Sequence, residues 1–267
     1  MKTILITGST DGIGLECATL LAQEGERVIL HARDSSRGTP VLEQVRTSSG
    51  NDTVDLVVGD FASLRQVRAM GAQVVAKYPK IDVLVNNAGV YMLERRLTED
   101  GYEMTFAVNH LAHFLLTNLL LDSLKNAAPS KIVVVSSEAH QGSRMDFDNL
   151  QGLKQFKPYS IYSASKLANL LFAYELAVRL TGTSITVNAL HPGVIATKML
   201  RAGFGSFGGS SVRKGADRVL HLIASPAVEG ISGKYFVDSL EHPSSEESRN
   251  RNLQKEFWRL SEKLVGT

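Results

Sequence analysis

The stretch Thr3-Ile4-Leu5-Ile6-Thr7-Gly8-Ser9-Thr10-Asp11-Gly12-Ile13-Gly14 decides how this chain is read. An apolar, β-branched run ends in three glycines, and an amphipathic segment carrying Leu15, Ala18, Leu21 and Ala22 on one side follows at once. That order places free backbone N–H groups and the positive end of a helix dipole at one point, and glycine lets a pyrophosphate approach the main chain. Glycines alone are weak, because many strand-to-helix turns use them; the context between strand and helix gives them weight. Gly8, Ser9, Thr10, Gly12, Ile13 and Gly14 are the candidate phosphate-binding residues.

The same alternation continues outward. Short Val/Ile-rich runs predict strands at Thr3–Thr7, Arg27–Ala32, Thr53–Val58, Asp82–Val85, Lys131–Ser136, Ile185–Leu190 and Gly233–Val237. They lack polar alternation, as strands buried on both faces do. Helices are predicted over Ile13–Glu24, Ser63–Lys77 (opened by a Ser63-x-x-Gln66 capping box), Tyr102–Leu124 and Tyr159–Leu180. The expected fold is α/β: a single doubly wound Rossmann-type domain over 1–267, with a parallel seven-stranded sheet in the order 3-2-1-4-5-6-7 and helices on both faces.

The composition excludes several classes. With 267 residues, 43% apolar and 21% charged, the chain is an ordinary globular one. Its net charge of +2 is scattered, with Arg95-Arg96 the densest pair near the middle, so no nucleic-acid face is expected. Cys17 is the only cysteine, which rules out an intrachain disulfide, and it reads as a small buried residue. No run approaches the roughly 20 apolar residues of a membrane span, and a cytoplasmic location is the default expectation.

The end of the second strand selects the cofactor. Dinucleotide sites for NAD place Asp or Glu about 20 residues beyond the glycines, on the ribose 2′-hydroxyl. Here Ala32 stands 18 positions after Gly14, and Arg33 follows. A guanidinium pairs with a 2′-phosphate that a carboxylate would repel, so NADP(H) is expected. Asp34 beside it and Asp11 in the glycine loop weigh the other way, and a surface role for Arg33 stands as the alternative.

At this point the chain resembles the short-chain dehydrogenase/reductase family over nearly its whole length. Thr7-Gly-x-x-x-Gly12-x-Gly14 is similar to that family's cofactor loop. Asp60, with Phe61 after it, matches the adenine-contacting position, and Asn86-Asn87-Ala88-Gly89 matches its fourth-strand motif. Asn109, Ser137, Tyr162 and Lys166 match its catalytic positions, and Pro192, Gly193 and Thr197 match the turn that holds the nicotinamide. The segments Val134–His140, Lys166–Asn169 and His191–Gly193 look most like the retinol-dehydrogenase-like branch. The resemblance implies cofactor contacts by Asn87, Ala88, Gly89, Tyr162 and Lys166, with Lys166 on the nicotinamide ribose.

Tyr162 and Lys166 lie at i and i+4, so they share one helix face. A free tyrosine titrates near pKa ~10, and a nearby ammonium would lower that value. Tyr162 would then give a proton to a carbonyl oxygen in reduction, or take one from an alcohol in oxidation. Ser137 ends a strand where such sheets present their ligand crevice and would orient the substrate oxygen; Ser136 is the alternative, and family likeness favours the second serine. Asn109 sits in an apolar helix, and the resemblance implies a kink that holds a proton-relaying water beside Lys166. A packing asparagine is the plainer alternative.

The expected activity is NADP(H)-dependent hydride transfer to or from a hydrophobic ketone, aldehyde or alcohol. A 3-oxoacyl-thioester reductase is a rival, and so is a non-catalytic NADP(H)-sensing protein, which the presence of the full tetrad argues against. The 25 positions between Ser137 and Tyr162 exceed the family's common spacing. The intervening 141–158 would shape the substrate entrance or cover the helix face that many members use to dimerise, leaving monomer or homo-oligomer open. The glycine-rich 202–211, too flexible for a stable helix, is read as part of a substrate lid around 199–211. His110 and His113 lack a third partner with metal-ligand spacing, so no metal is expected. Leu253, Phe257, Leu260 and Leu264 form a helical stripe that packs on its own domain, with Trp258 beside it at a subunit contact or pocket rim.

Overall fold

The computed structural model describes residues 1–205 and 208–266. In chain order the elements are β1 (Thr3–Ile6), α1 (Gly12–Gln23), β2 (Arg27–Ala32), α2 (Ser35–Ser49), β3 (Asp55–Val58), α3 (Leu64–Lys77) and β4 (Val83–Asn86). Then come α4 (Met104–Phe106), a π-helical segment at Ala107–Leu111, α5 (Ala112–Asn126), β5 (Ser130–Val135), α6 (Pro158–Arg179) and β6 (Ile185–His191). The chain closes with α7 (Lys198–Phe204), α8 (Val212–Ala224), β7 (Lys234–Val237), β8 (Leu240–Glu241), α9 (Glu246–Arg249) and α10 (Arg251–Val265).

The sheet runs β3-β2-β1-β4-β5-β6-β7-β8, and every pairing is parallel except β7 with β8. The strands bury both faces because successive side chains point to opposite sides. Leu5, Ile29, Leu84, Ile132 and Val187 join α3, α5, α6 and α10 in one core. Ile4, Ile6, Val28, Val83 and Val133 join α1 and α8 in the other. This two-sided burial explains the missing polar alternation.

Several expectations need correction. The sheet has eight strands, not seven: Asp238 and Ser239, both at positive φ, form a two-residue turn that folds Leu240 back against Val237. The turn carries no Asn-Gly or Asp-Gly signal. Helix α2 is not among the helices expected from sequence, because it contains Gly38 and Pro40 and buries only Gly38 and Val45. A side chain at Gly38 would meet Ala32 and Leu56 at 2.8 Å, so this glycine is where α2 touches the sheet. The single helix expected over Tyr102–Leu124 is α4, the π segment and α5. Met104–Asn126 is also long and apolar enough, by composition, to cross a membrane, but most of it is buried inside the fold. The capping box at Ser63 is half formed. Ser63 Oγ accepts from the Gln66 N–H at 3.2 Å, while the Gln66 side chain accepts from the Asp60 N–H.

Helix α10 lies on α6 and closes the core. Trp258 is buried there, not at a rim: its ring stacks on Phe172 at 5.9 Å, and the Arg179 guanidinium sits 4.2 Å from it. The 141–158 segment joins this layer through buried Met145 and Leu150 and through Phe147 against Phe257. Cys17 is buried, and burial pushes its thiol up.

Candidate active site

The predicted cofactor residues gather at the carboxyl ends of β1, β2, β3, β4 and β6. Gly8 has a φ of 63°, and a Cβ there would lie 2.8 Å from the Ala88 Cα, so the β1 and β4 turns touch main chain to main chain. Gly14 is as constrained: a Cβ would meet the Gly8 carbonyl oxygen at 2.5 Å and the Asn87 amide at 2.6 Å. Asn87 donates to the Thr7 carbonyl at 2.8 Å, and the Thr7 hydroxyl accepts from the Asn87 and Ala88 N–H groups at 2.8 and 3.0 Å. Gly12 (φ 55°) faces Thr197, which caps α7. Ser9 is buried against His31, and Thr10 and Ile13 are half-buried. Asp11 caps α1 by accepting from the Gly12 N–H, and Lys198 pairs with it at 2.9 Å, which offsets the negative charge in this loop.

A bound dinucleotide fits this cradle. The first turn of α1 has N–H groups without intrahelical partners, as every helix start does. The close glycine packing keeps side chains off that turn. Arg33 is exposed at the end of β2. Asp34 does not turn inward; it caps α2, accepting from the Arg37 N–H at 3.0 Å and the Ser36 hydroxyl at 2.6 Å. Arg33 and Arg37 both reach this one carboxylate, at 3.5 and 3.6 Å, so positive charge is left over. Asp60 is half-buried and accepts from the Ala62 N–H. Phe61 is buried with its ring stacked on His31 at 4.3 Å, so a cofactor contact there falls to its backbone. At the other end Gly193 (φ 94°) leaves room for Arg218, which donates to the Pro192 carbonyl at 2.5 Å and pairs with Asp238.

The four candidate catalytic residues also converge. Ser137 follows β5 and Tyr162 lies in the first turns of α6; Ser137 Oγ accepts from the Ala139 N–H at 3.1 Å and lies near enough to Tyr162 to pull its phenol down. Ser136 is buried and donates instead to the Lys166 carbonyl at 2.7 Å, so the two serines divide between scaffold and pocket. Lys166 is 3% exposed, donates to the Val135 carbonyl at 3.2 Å, and lies 5.6 Å from the Tyr162 ring centre. Gly89 faces them: a Cβ on it would be 3.4 Å from Asn109 Oδ1, 3.5 Å from Met199 and 3.7 Å from Lys166 Nζ. Asn109 sits in the π segment, the expected kink. Its amide oxygen accepts from the Val90 N–H at 2.7 Å, and its amide nitrogen donates to the Val90 carbonyl and to Ser165 Oγ at 3.0 Å each.

Electrostatics differ from the sequence expectation. Among the protein's own groups, burial dominates Tyr162 and pushes its hydroxyl up to about 12, against the downward pull of the nearby Ser137 hydroxyl. Burial also lowers Lys166 to about 8. The phenol is therefore a well-held proton donor rather than one already softened by the lysine.

Sequence reasoning missed four supporting residues. Ser165 Oγ links Asn109 to the Tyr162 carbonyl, at 2.7 Å from the latter. Arg218 braces the Pro192 turn. His31 and His113 hold the glycine loop from behind. A histidine inside the apolar run Val28–Ala32 was the available signal for His31. Among the described residues no group of three or more His, Cys, Asp or Glu could hold a metal.

A doubly wound sheet with a glycine cradle and a serine, tyrosine and lysine at its crest defines a dinucleotide-dependent oxidoreductase. The family model for short chain dehydrogenase matches residues 2–204. Retinol dehydrogenase 14 of Mus musculus is 42% identical over 289 residues, covering 99% of this chain and 86% of that protein. Retinol dehydrogenase 11 of Homo sapiens is 40% identical over 273 residues, with the same shares covered. A solved structure of an uncharacterized protein from Mycobacterium Paratuberculosis shares the fold with a TM-score of 0.84 at 32% identity, covering 100% of this chain and 94% of that one. The chain belongs to the short-chain dehydrogenase/reductase family, in its retinol-dehydrogenase-like branch.

Proposed function

We propose that this protein is an NADP(H)-dependent oxidoreductase that interconverts a hydrophobic ketone or aldehyde and its alcohol, with Tyr162 as general acid and base. The observation that carries the reading is the convergence of Ser137, Tyr162 and Lys166 beyond the end of β5, with Lys166 buried and its ammonium 5.6 Å from the Tyr162 ring centre. The nicotinamide, when bound, supplies or accepts the hydride and, oxidised, adds positive charge. In reduction Ser137 holds the substrate oxygen and Tyr162 delivers a proton to it as negative charge develops; even held up to about 12 the phenol is a stronger acid than the alcohol formed, so the transfer runs downhill. In oxidation Tyr162, as phenolate, takes the alcohol proton, with the Lys166 ammonium 5.6 Å from its ring centre.

The preference for NADP(H) is supported by Arg33 and Arg37 around one capping carboxylate, with no acidic residue free at the end of β2. The named retinol dehydrogenases among its relatives favour a retinoid-like or other long apolar substrate. Tyr91 supports an apolar wall: its ring lies 5.3 Å from that of Tyr162 and packs on Gly203 of α7. A lid over 199–211 is part of this proposal. Its start, Lys198–Phe204, is helical where flexible chain was expected over 202–204; Ser206, Phe207 and the Phe204 side chain lie outside the described residues. The test is a panel of apolar aldehydes, ketones and alcohols assayed with NADPH, NADH and their oxidised forms by nicotinamide absorbance. No absorbance change with any pair would refute the activity, and faster turnover with NADH at equal concentration would refute the cofactor choice.

A further inference from the structure

His113 is fully buried on α5, four residues after Asn109. Its Nδ1 lies 3.0 Å from the Asn109 carbonyl oxygen. A carbonyl oxygen only accepts, so Nδ1 carries the ring proton and Nε2 keeps its lone pair. That lone pair faces the Thr7 hydroxyl at 2.9 Å, the nearer of two acceptors for its one proton, the other being the Val85 carbonyl at 3.1 Å, so Thr7 donates to the ring. The same hydroxyl oxygen holds the N–H groups of Asn87 and Ala88. One ring thus grips the glycine loop and the β4 turn on one side and the main chain of the π segment on the other.

His31 answers it from β2 with the opposite tautomer. Its Nδ1 accepts from the Gly8 N–H at 3.0 Å, and its Nε2 donates to the Gly59 carbonyl at 2.8 Å. Its own N–H donates to Ser9 Oγ at 2.8 Å. Phe61 joins the two rings, stacked on His31 and edge-on to His113 at 5.2 Å. Burial holds both imidazoles well below their ordinary range, at about 4 for His31 and about 3 for His113, so each keeps one donor and one acceptor.

We propose that His113 is a positioning residue of the reaction, coupling the dinucleotide cradle at Thr7 to the catalytic bulge at Asn109, while His31 fixes the glycine loop from the opposite side. The proposal rests on the functional reading above for the roles of the loop and of Asn109. A ring that merely fills the core would lose stability when changed and nothing more. A coupling ring must give separable losses, because its two nitrogens serve two different parts of the site.

Two near-isosteric variants separate them. His113→Asn keeps a donor near the Nδ1 position for the Asn109 carbonyl but cannot reach Thr7. His113→Gln reaches Thr7 with an acceptor but gives up the hold on Asn109. NADPH binding is measured by fluorescence titration, kcat and KM by absorbance, and Tm alongside. The expected result is a rise of about tenfold in the NADPH Kd for His113→Asn with kcat changed less than about twofold, and the reverse pattern for His113→Gln. Equal changes in Kd and kcat for the two variants, or wild-type values for both, would overturn the proposal. Should neither variant fold, wild-type protein labelled with 15N-histidine gives the answer: saturating NADP⁺ is expected to shift the His113 ring nitrogens, and unmoved resonances would overturn it. Wild-type binding and turnover test the functional reading separately, so its failure is not confused with a failure of the coupling.

Discussion

Ser136 and Lys166 are joined through the serine hydroxyl and the lysine carbonyl at 2.7 Å, which ties the end of β5 to the helix carrying Tyr162. The neighbouring Ser137 hydroxyl instead accepts from the Ala139 N–H at 3.1 Å and acts on Tyr162. Adjacent serines at a strand end face opposite ways, so one side chain must serve the scaffold when the other serves the pocket. Ser136→Ala is expected to cost about 1–2 kcal/mol of stability by leaving a buried carbonyl without its partner. Ser137→Ala is expected to cost about 0.5–1 kcal/mol through loss of its cap on the short helix at Glu138–His140, and to lower kcat by about a hundredfold or more. Urea unfolding and steady-state kinetics on both variants check the division; a kinetic loss confined to Ser136→Ala would reverse the assignment.

Tyr162→Phe removes the proton donor and keeps the ring against Tyr91. Binding of NADPH is expected to stay within about twofold, while turnover falls at least about a hundredfold on every accepted carbonyl. Single-turnover absorbance with saturating NADPH is the measurement. Activity retained across the panel would show that the proton comes from another group.

The β-α alternation, the glycine loop and the spacing of Tyr162 and Lys166 were legible in the sequence because each rests on local periodicity. What escaped is long-range. Helix α2 hides behind Gly38 and Pro40, since its contact with the sheet is made by a missing side chain rather than an apolar stripe. From sequence His113 reads, with His110, as a structural or polar-surface residue once a metal role lacks a third ligand; its actual partners Thr7 and Asn109 are invisible there because Thr7 comes from a distant element. The raised Tyr162 hydroxyl was likewise unreadable: lysine spacing shows in sequence, but burial, which outweighs it, does not.

Arg33→Ala is expected to weaken NADP(H) at least about tenfold while NAD(H) changes less than about twofold, because only the former carries the 2′-phosphate. Arg37→Ala should repeat the pattern more weakly, as Arg37 is carried on the first turn of α2 while Arg33 directly follows the strand end. Fluorescence titration of each cofactor against each variant decides; equal losses for both cofactors would mean that neither arginine reads the phosphate.

Acid should unfold this protein early. His31, His113 and His110 are buried neutral, with burial lowering them from 6.5 to about 4, 3 and 3 respectively. The unfolded chain takes up these protons first, so the stabilisation is fully present above about pH 6.5 and is lost as pH falls through the folded values. Urea midpoints measured from pH 7 down to 4.5 are expected to drop steadily, and His31→Gln to flatten part of that slope. A midpoint flat across the range would contradict the buried neutral rings.

Gly203 has no Cβ where one would lie 2.8 Å from the Tyr91 ring, so the start of the proposed lid rests directly on an aromatic wall of the pocket. Any larger residue must push α7 outward or turn Tyr91 away from Tyr162. Gly203 is in a seven-residue helix on the surface, so Gly203→Val should change global stability by less than about 1 kcal/mol. Its effect should fall on the substrate: KM for the largest apolar aldehyde rising about fivefold or more, with the NADPH Kd unchanged. Pairing it with Tyr91→Ala, which removes the clash, should restore much of the lost affinity. Additive losses in the double variant would show that the two residues act independently and that α7 does not close on Tyr91.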